Sequence, residues 1–196
     1  MSEVRPGVSG VRPGRLRRSG RVRWISLGVA CGVAVLVAVL ATSGPASQVS
    51  EGSPLIGKRA PAIDGRSLLG TGHVELSSFS GKWVLVNFAA SWCFPCRQEM
   101  PQLQAFEQQH AQTGNGVILS VAYDEGDVSN LVSYLRSQHA TWPAVDDGSA
   151  VVNYGVGTIP ESFLIDPQGT VVAKYVSGVV AAQLDAVMTK ASGGLG

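Results

Sequence analysis

The chain has 196 residues, enough for one domain with a sizeable core and for terminal extensions outside that core. The first 41 residues hold seven Arg and one Glu, whereas the rest is mildly acidic, with eight Lys and Arg against thirteen Asp and Glu. This distribution argues against nucleic-acid binding, which needs basic residues gathered on a folded face.

An apolar run follows the basic leader. Residues 1–23 are rich in Arg, Gly, Ser and Pro, and we expect this leader to be disordered. Residues 24–41 carry no charge and reach the lower length limit of a transmembrane helix. The positive-inside rule keeps the leader in the cytoplasm, so the pattern predicts a single-pass signal-anchor in the cell membrane with the rest of the chain on the extracytoplasmic side. A cleaved signal peptide is the alternative.

The remaining chain is predicted to contain a linker, one folded domain and a short tail. Residues 42–53 are rich in Ser, Gly, Pro and Ala and predict a flexible linker. The domain is expected to span residues 54–191, and a Gly-rich tail covers residues 192–196.

The first half of the domain alternates between strand and helix patterns. Val84–Phe88 and Val117–Val121 are largely continuous apolar runs, which are typical of strands buried on both faces. A helix is predicted between them, from Pro95 to about Gln112. Asp127 can cap a second, amphipathic helix that begins at Val128.

The second half predicts a hairpin and a final helix. Ser162–Ile165 and Thr170–Tyr175 flank an Asp-Pro-Gln-Gly segment that is typical of a tight turn between antiparallel strands. The last helix should contain residues 180–188. The predicted fold class is α/β, with a mixed central sheet and helices on both of its faces.

Cys93 and Cys96 form a C-x-x-C pair where a predicted strand meets a helix. The unpaired N–H groups and the dipole at a helix N-terminus favour the thiolate of Cys93, which is the nucleophile in thiol–disulfide exchange. Cys96 lies one turn further into the helix, where we expect it to be less exposed and to resolve the mixed disulfide. Trp92 precedes the pair and either docks a substrate or packs over the nucleophile.

Two other interpretations of the cysteine pair fit less well. A zinc site usually has four thiolate or imidazole ligands, and His73, His110 and His139 lack ligand spacing, so no metal is predicted. A purely structural disulfide would constrain the unfolded chain very little across a two-residue loop. We therefore predict a redox-active disulfide that needs no further cofactor.

Three segments resemble the TlpA/ResA/CcmG group of membrane-anchored or exported thioredoxin-like proteins. They are Gly-Lys-Arg-Ala-Pro at 57–61, Val-Asn-Phe-Ala-Ala-Ser-Trp-Cys at 86–93 and Gly-Thr-Ile-Pro-Glu-Ser-Phe-Leu-Ile-Asp at 157–166. The resemblance implies a thioredoxin fold and thiol–disulfide oxidoreductase activity. In many members the activity is reduction of apocytochrome c cysteines before haem attachment.

The resemblance also implies roles for the loop around Pro160. It implies a cis bond before this proline, a ring that keeps metals from the sulfurs, and pairing between the Ile159 main chain and an extended substrate segment. Glu161 matches an acid of CcmG-like loops, and its charge would oppose the thiolate.

Asn87 stands where thioredoxins have a buried Asp that relays protons to the resolving thiol. Glu99 follows Cys96 by three positions on the same helix face and matches an acid that ResA-like proteins hold there, so it is the candidate replacement. The alternative is a solvated Glu that is stabilised only by the helix dipole.

The leading functional hypothesis is therefore a reductant of protein disulfides, such as those of apocytochrome c, supplied with electrons by a membrane thiol donor. An oxidant of exported proteins is an alternative, as is a non-enzymatic chaperone that holds cysteine-containing clients or copper. A thiol peroxidase is suggested by residues 57–61, but those enzymes have a Thr ahead of their reactive Cys, where Ser91 and Trp92 precede Cys93.

Overall fold

The computed structural model of the chain describes residues 28–35, 37–38, 48–49, 52–124 and 126–193. The chain divides into two units, Met1–Ala46 and Ser47–Gly196. In the first unit, residues 28–35 and 37–38 are helical and exposed; among all described residues, no helix is long and apolar enough to cross a membrane. The predicted leader at 1–23 lies outside the described residues, as do parts of the predicted anchor at 24–41, most of the linker at 42–53 and the end of the tail.

The second unit alternates strands with helices. Its strands are β1 (Gln48–Val49), β2 (Asp64–Ser67), β3 (His73–Glu75), β4 (Trp83–Ala89), β5 (Gly116–Ala122), β6 (Ala144–Asp146), β7 (Glu161–Ile165) and β8 (Val171–Val176). Its helices are α1 (Phe94–Ala111), α2 (Val128–Ser137), α3 (Gly148–Asn153), α4 (Ala181–Gly193) and a short 3-10 helix (Leu76–Phe79).

The strands form one mixed sheet in the order β1-β8-β7-β4-β5-β6-β2-β3. β4 and β6 each run parallel to β5, whereas β7 runs antiparallel to β4 and β8. β4 is buried along its whole length, as its continuous apolar run predicted. The predicted mixed α/β sheet of a thioredoxin-like fold is confirmed.

Helices cover both faces of this sheet, each above its own apolar cluster. On one face, Leu103 of α1, Leu131 of α2 and Leu184 of α4 belong to a single buried cluster. On the other face, Ala150 of α3 packs in a second cluster with Phe88 and other side chains of the central strands. Because successive side chains of a strand point to opposite faces, Asn87 points to the face that α1 covers.

The predicted helix starts also agree with the structure. Cys93 is the N-cap of α1, and Pro95 lies in the first turn of that helix, where a missing N–H leaves no donor unpaired. Asp127 caps α2 by accepting a hydrogen bond from the Ser129 N–H at 2.9 Å.

Several elements differ from the sequence prediction. Gln48 and Val49 lie within the predicted linker but pair with the edge strand β8, so the folded unit begins before residue 54. α4 extends to Gly193, two residues into the predicted tail. The hairpin of β2 and β3, the short strand β6 and helix α3 were not predicted, because each is too short or too polar to give a periodic apolar pattern.

Candidate active site

Cys93 and Cys96 are joined by a disulfide at the point where β4 passes into α1. The Cys93 sulfur accepts a hydrogen bond from the Cys96 N–H at 3.1 Å, so it occupies the N-terminal end of the helix. Residue exposures are 3% for Cys93 and 2% for Cys96, and the expected difference in exposure between the two is absent in the disulfide form. A sulfur that receives a helix N–H group is well placed to carry negative charge when the disulfide opens.

The loop before β7 lies against this disulfide. The Ile159–Pro160 peptide bond is cis, which confirms the expectation from the family resemblance. Ile159 packs against a small buried cluster that contains both cysteines. The candidate substrate residue Ile159 is therefore brought to the cysteines from a loop more than 60 residues further along the chain, and Pro160 follows it directly.

An open groove of about 320 Å³ runs beside the Cys93 sulfur. Its lining is mainly aromatic and apolar, from Trp92, Cys93, Phe94, Pro95, Tyr123, Gly157, Thr158 and Ile159. Trp92 is 58% exposed and Phe94 is 68% exposed, although both are large apolar side chains. Exposed aromatic rings that border a concave surface are typical of binding sites.

Hydrogen bonds hold the turn that carries Trp92. The indole N–H of Trp92 donates to the Asp124 carbonyl at 3.3 Å. Two guanidinium nitrogens of Arg97 donate to the Ser91 carbonyl, at 2.8 and 3.1 Å. The Trp92 ring is thus anchored by its indole N–H, and it also lines the groove. This arrangement fits both predicted roles, docking of a substrate and packing over the nucleophile.

Glu99 is buried inside α1, with an exposure of 5%. Asn87 Nδ2 donates to its Oε1 at 2.7 Å, and the main-chain N–H of Val179 donates to its Oε2 at 3.2 Å. Burial raises the pKa of Glu99 to about 7, and these two hydrogen bonds limit the rise. The alternative of a solvated Glu99 is wrong, and the carboxyl group has the burial and the pKa of an acid–base group.

Asn87 has a second hydrogen-bond partner, Ser162, which the sequence did not predict. Asn87 and Ser162 are directly opposite in the pairing of β4 with β7, and Asn87 Nδ2 donates to Ser162 Oγ at 3.0 Å. No local motif links residues that are 75 positions apart, so only the register of the sheet could reveal this contact.

Glu161 is buried directly after the cis proline and pairs with a lysine of β8. Its Oε2 lies 2.8 Å from Lys174 Nζ, as an ion pair without hydrogen-bond alignment. The Lys174 ammonium also lies 5.3 Å from the centre of the Phe163 ring. The negative charge that was expected to oppose the thiolate is therefore balanced by Lys174, a partner that the sequence analysis did not identify.

A larger cavity, of about 680 Å³, lies where the β2–β3 segment meets the turn between β7 and β8. Its lining contains neither Cys93 nor Cys96, and it mixes both charge signs, from Arg59, Lys82, Asp64 and Glu75. Size alone therefore does not mark the reactive site, and the smaller groove beside the disulfide is the candidate active site.

A cysteine pair at a helix N-terminus, faced by a cis-proline loop on a mixed sheet, defines a thioredoxin-like thiol–disulfide oxidoreductase. Residues 56–174 match the model of the AhpC/TSA family, and the chain belongs to that family.

Known relatives agree with this class. The chain is 34% identical over 137 residues to thiol-disulfide oxidoreductase ResA from Bacillus thuringiensis (strain Al Hakam), covering 69% of this chain and 78% of the relative. It is similar to the thioredoxin domain of a thiol-disulfide oxidoreductase from Bacteroides vulgatus, with a TM-score of 0.59, 26% identity and coverage of 75% and 100% of the two chains. A thiol:disulfide interchange protein from Chlorobium tepidum TLS gives a TM-score of 0.60, with 27% identity and coverage of 67% and 94%. The chain is thus a thioredoxin-like oxidoreductase that acts on protein thiols and disulfides.

Proposed function

We propose that this oxidoreductase is a reductant of disulfides on the extracytoplasmic side of the membrane, with oxidised apocytochrome c as its client class. The observation that carries the proposal is the Cys93 sulfur at the N-terminus of α1, beside a groove that is open to a polypeptide. Similarity to thiol-disulfide oxidoreductase ResA supports thiol–disulfide exchange as the reaction, and the reducing direction is proposed from the resemblance to the TlpA/ResA/CcmG group.

The reaction begins with the reduced pair. The Cys93 thiolate attacks one sulfur of the client disulfide, forms a mixed disulfide and releases the other client sulfur as a thiolate, which takes up a proton. Cys96 then loses its proton to the Glu99 carboxylate and attacks the Cys93 sulfur. The second client sulfur leaves as a thiolate and takes up a proton, so the client gains two electrons and is released as a dithiol. Cys93 and Cys96 lose the same two electrons and form the disulfide.

The groove provides the binding contacts for the client. An extended client segment pairs with the main chain of Ile159, which makes no hydrogen bond within the described part of the chain. Pro160 keeps this loop against the sulfurs, and Trp92 contacts the client side chains beside the reacting cysteine. Glu161, with its charge balanced by Lys174, fixes the end of the same loop.

The proposal includes the cellular setting. A single-pass signal-anchor at 24–41 holds the catalytic domain outside the cell membrane, and a membrane dithiol carrier reduces the Cys93–Cys96 disulfide after each turnover. Thiol–disulfide exchange at the redox-active disulfide needs no additional cofactor. Support comes from the Arg-rich leader and the apolar run in the sequence.

A trapping experiment tests the client class. The full-length chain carries Cys96→Ala, so that a mixed disulfide at Cys93 cannot be resolved, and Cys31→Ser, which removes the free and exposed Cys31. We expect the variant with a reduced Cys93 to form a stable adduct with an oxidised Cys-x-x-Cys-His peptide, of the kind to which c-type haem attaches.

The matched control is the chain with Cys93→Ala and Cys31→Ser, which retains Cys96 but lacks the proposed nucleophile. Mass spectrometry should find the adduct only where Cys93 is present. Equal trapping by the two variants would refute the assignment of Cys93 as the nucleophile, and no trapping by either would refute the proposed client class.

A further inference from the structure

Two hydrogen bonds hold the carboxyl group of Glu99, and neither donor belongs to its own helix, α1. Asn87 of β4 donates to Oε1, and Val179, in the loop between β8 and α4, donates to Oε2. Each donor in turn depends on another residue: Ser162 for Asn87, and Gly178 for Val179.

Ser162 fixes the orientation of the Asn87 amide. The same Nδ2 atom donates one proton to Glu99 and the other to Ser162 Oγ, and all three side chains are buried. Without the hydroxyl group, one N–H of Asn87 would be buried without an acceptor, and the amide would lose the contact that sets its rotation.

Gly178 allows the main chain to approach Glu99. Ser177 and Gly178 both have positive φ angles, +68° and +110°, which turn the chain so that the next N–H group reaches Glu99. A Cβ at Gly178 would lie 3.4 Å from Glu99 Oε2 and 3.5 Å from Glu99 Cβ. A side chain at this position would be strained by the positive φ, and its Cβ would be in van der Waals contact with the Glu99 side chain, so relief of the strain would move the Val179 N–H relative to the carboxyl group.

Both supports are also connected to the cis-proline loop. Ser162 lies two residues after Pro160 on β7, and the Ser177 N–H donates to the Pro160 carbonyl at 3.1 Å. The main-chain segments 160–162 and 177–179 therefore support both the cis-proline loop and the hydrogen bonds to Glu99.

We propose that Ser162 and Gly178 are positioning residues for Glu99: Ser162 orients the Asn87 amide on one carboxyl oxygen, and Gly178 allows the Val179 N–H to reach the other. The inference rests on the proposed role of Glu99 as the proton acceptor of Cys96. Both hydrogen bonds stabilise the carboxylate, so the loss of either support makes Glu99 harder to ionise.

Few other charges face Glu99. The neighbouring elements contribute the uncharged Asn87, Ser162 and Val179, and α2 contributes Tyr134, which interacts electrostatically with Glu99 and with Arg97. On its own helix, Cys93 and Cys96 do not titrate while the disulfide is closed. The oxidised protein is therefore the form in which Glu99 titrates with the fewest coupled groups.

The experiment measures the titration midpoint of the Glu99 carboxyl carbon by NMR in the oxidised full-length chain. We expect Gly178→Ala to raise the midpoint by about one pH unit, the effect of a lost hydrogen bond to a charged group. Ser162→Ala should raise it by about half a pH unit, since Asn87 can still reach Glu99.

Gly169→Ala is the matched control, because Gly169 also has a positive φ, +85°, but has open space around it. Its midpoint should equal that of the unaltered chain. If Gly178→Ala does not fold, Ser162→Ala decides the outcome, since it removes only a hydroxyl group. An unchanged midpoint in folded Ser162→Ala and Gly178→Ala would overturn the proposal.

A second readout separates this inference from the proposed function. In the active protein, each substitution should shift the midpoint of the acid limb of the pH–rate profile to a higher pH. Neither substitution should shift it in a Glu99→Gln background. A chain that fails to reduce any disulfide but shows the midpoint shifts would contradict the proposed function and support the positioning roles. If the unaltered chain reduces disulfides but the variants show unshifted midpoints, the proposed function would be supported and the positioning roles would be contradicted.

Discussion

Asn87 and Glu99 form a buried hydrogen bond of 2.7 Å between β4 and the helix that begins at the reactive disulfide. The bond joins the position that differs from ordinary thioredoxins to the acid that follows Cys96 by three residues. The amide of Asn87 does not exchange its protons as an acid or a base, but it can hold the titratable carboxyl group of Glu99 by a hydrogen bond. In the proposed mechanism, the acid–base group of the site therefore lies on the helix and not on the strand.

The raised pKa of Glu99 predicts a pH-dependent stability of the oxidised protein. The unfolded carboxyl ionises near 4.5 and the folded one near 7, so the folded state holds an extra proton between these values and loses stability as the pH rises. The total loss should be about 3 kcal/mol from pH 4.5 to pH 7, with little further change above pH 7.

Denaturant unfolding at a series of pH values measures this loss. Glu99→Gln cannot ionise, so most of the slope between pH 4.5 and pH 7 should disappear in that variant. The same slope in the Gln variant would show that other groups cause it.

Trp92 should contribute to client binding without contributing to the chemistry. We expect Trp92→Ala to raise the KM for an oxidised protein client about tenfold, the loss of about 1.4 kcal/mol that a truncated aromatic anchor gives. The rate with oxidised glutathione, which is too small to use the groove, should stay the same.

Steady-state kinetics with both substrates provide the measurement. Val152→Ala is the control, because Val152 is an exposed apolar residue outside the groove lining. Equal losses for the protein client and for glutathione would mean that Trp92 affects the reactive disulfide itself.

The ion pair of Glu161 and Lys174 should matter for stability. Lys174→Met would leave Glu161 buried without its partner, and we expect a loss of about 3 kcal/mol. The double variant with Glu161→Gln should recover most of it, since no buried charge remains. Thermal or denaturant unfolding of four proteins tests this: the unaltered chain, Lys174→Met, Glu161→Gln and the double variant. Additive losses in the double variant would contradict the pairing.

A second, partly buried pair connects α1 and α4, two of the three helices on one face of the sheet. His110 of α1 lies 2.8 Å from Asp185 of α4, whereas His73 and Asp64 form an exposed pair at 3.1 Å. Asp185→Ala should destabilise the protein by about 2 kcal/mol, because a buried polar group loses its partner. Asp64→Ala should change the stability by less than about 0.5 kcal/mol. Similar effects of the two substitutions in unfolding experiments would be inconsistent with this account.

Long, periodic elements of the fold were predictable from the sequence. The runs around Val84 and Val117 are largely apolar because both faces of the central strands are covered, and α1 and α2 have recognisable first turns. The hairpin of β2 and β3 gave no signal because Asp-Gly-Arg-Ser and His-Val-Glu contain almost no apolar side chains.

Two parts of the site were predictable from the sequence: the residues close together on one helix, and the loop around Pro160, which the family resemblance placed near the cysteines. Cys93, Cys96 and Glu99 follow from local spacing on one helix. The partners Ser162 and Lys174 depend instead on the strand register, which sets Asn87 opposite Ser162 and brings Lys174 beside Glu161. Pairing of β4 with β7 joins residues that are far apart in the chain and has no local signal. The β7–β8 hairpin was predicted, but an irregularity between Leu164 and Ile165 shifts its register.

The central claim is that Cys93 and Cys96 form a reducing redox pair, and their reduction potential tests it most directly. The full-length chain with Cys31→Ser is equilibrated in glutathione buffers of known potential, and the two thiols are counted by alkylation and mass spectrometry. The account predicts a potential near that of thioredoxin, about −270 mV. A value near about −120 mV, typical of a strong oxidant, or a pair that does not cycle would contradict it.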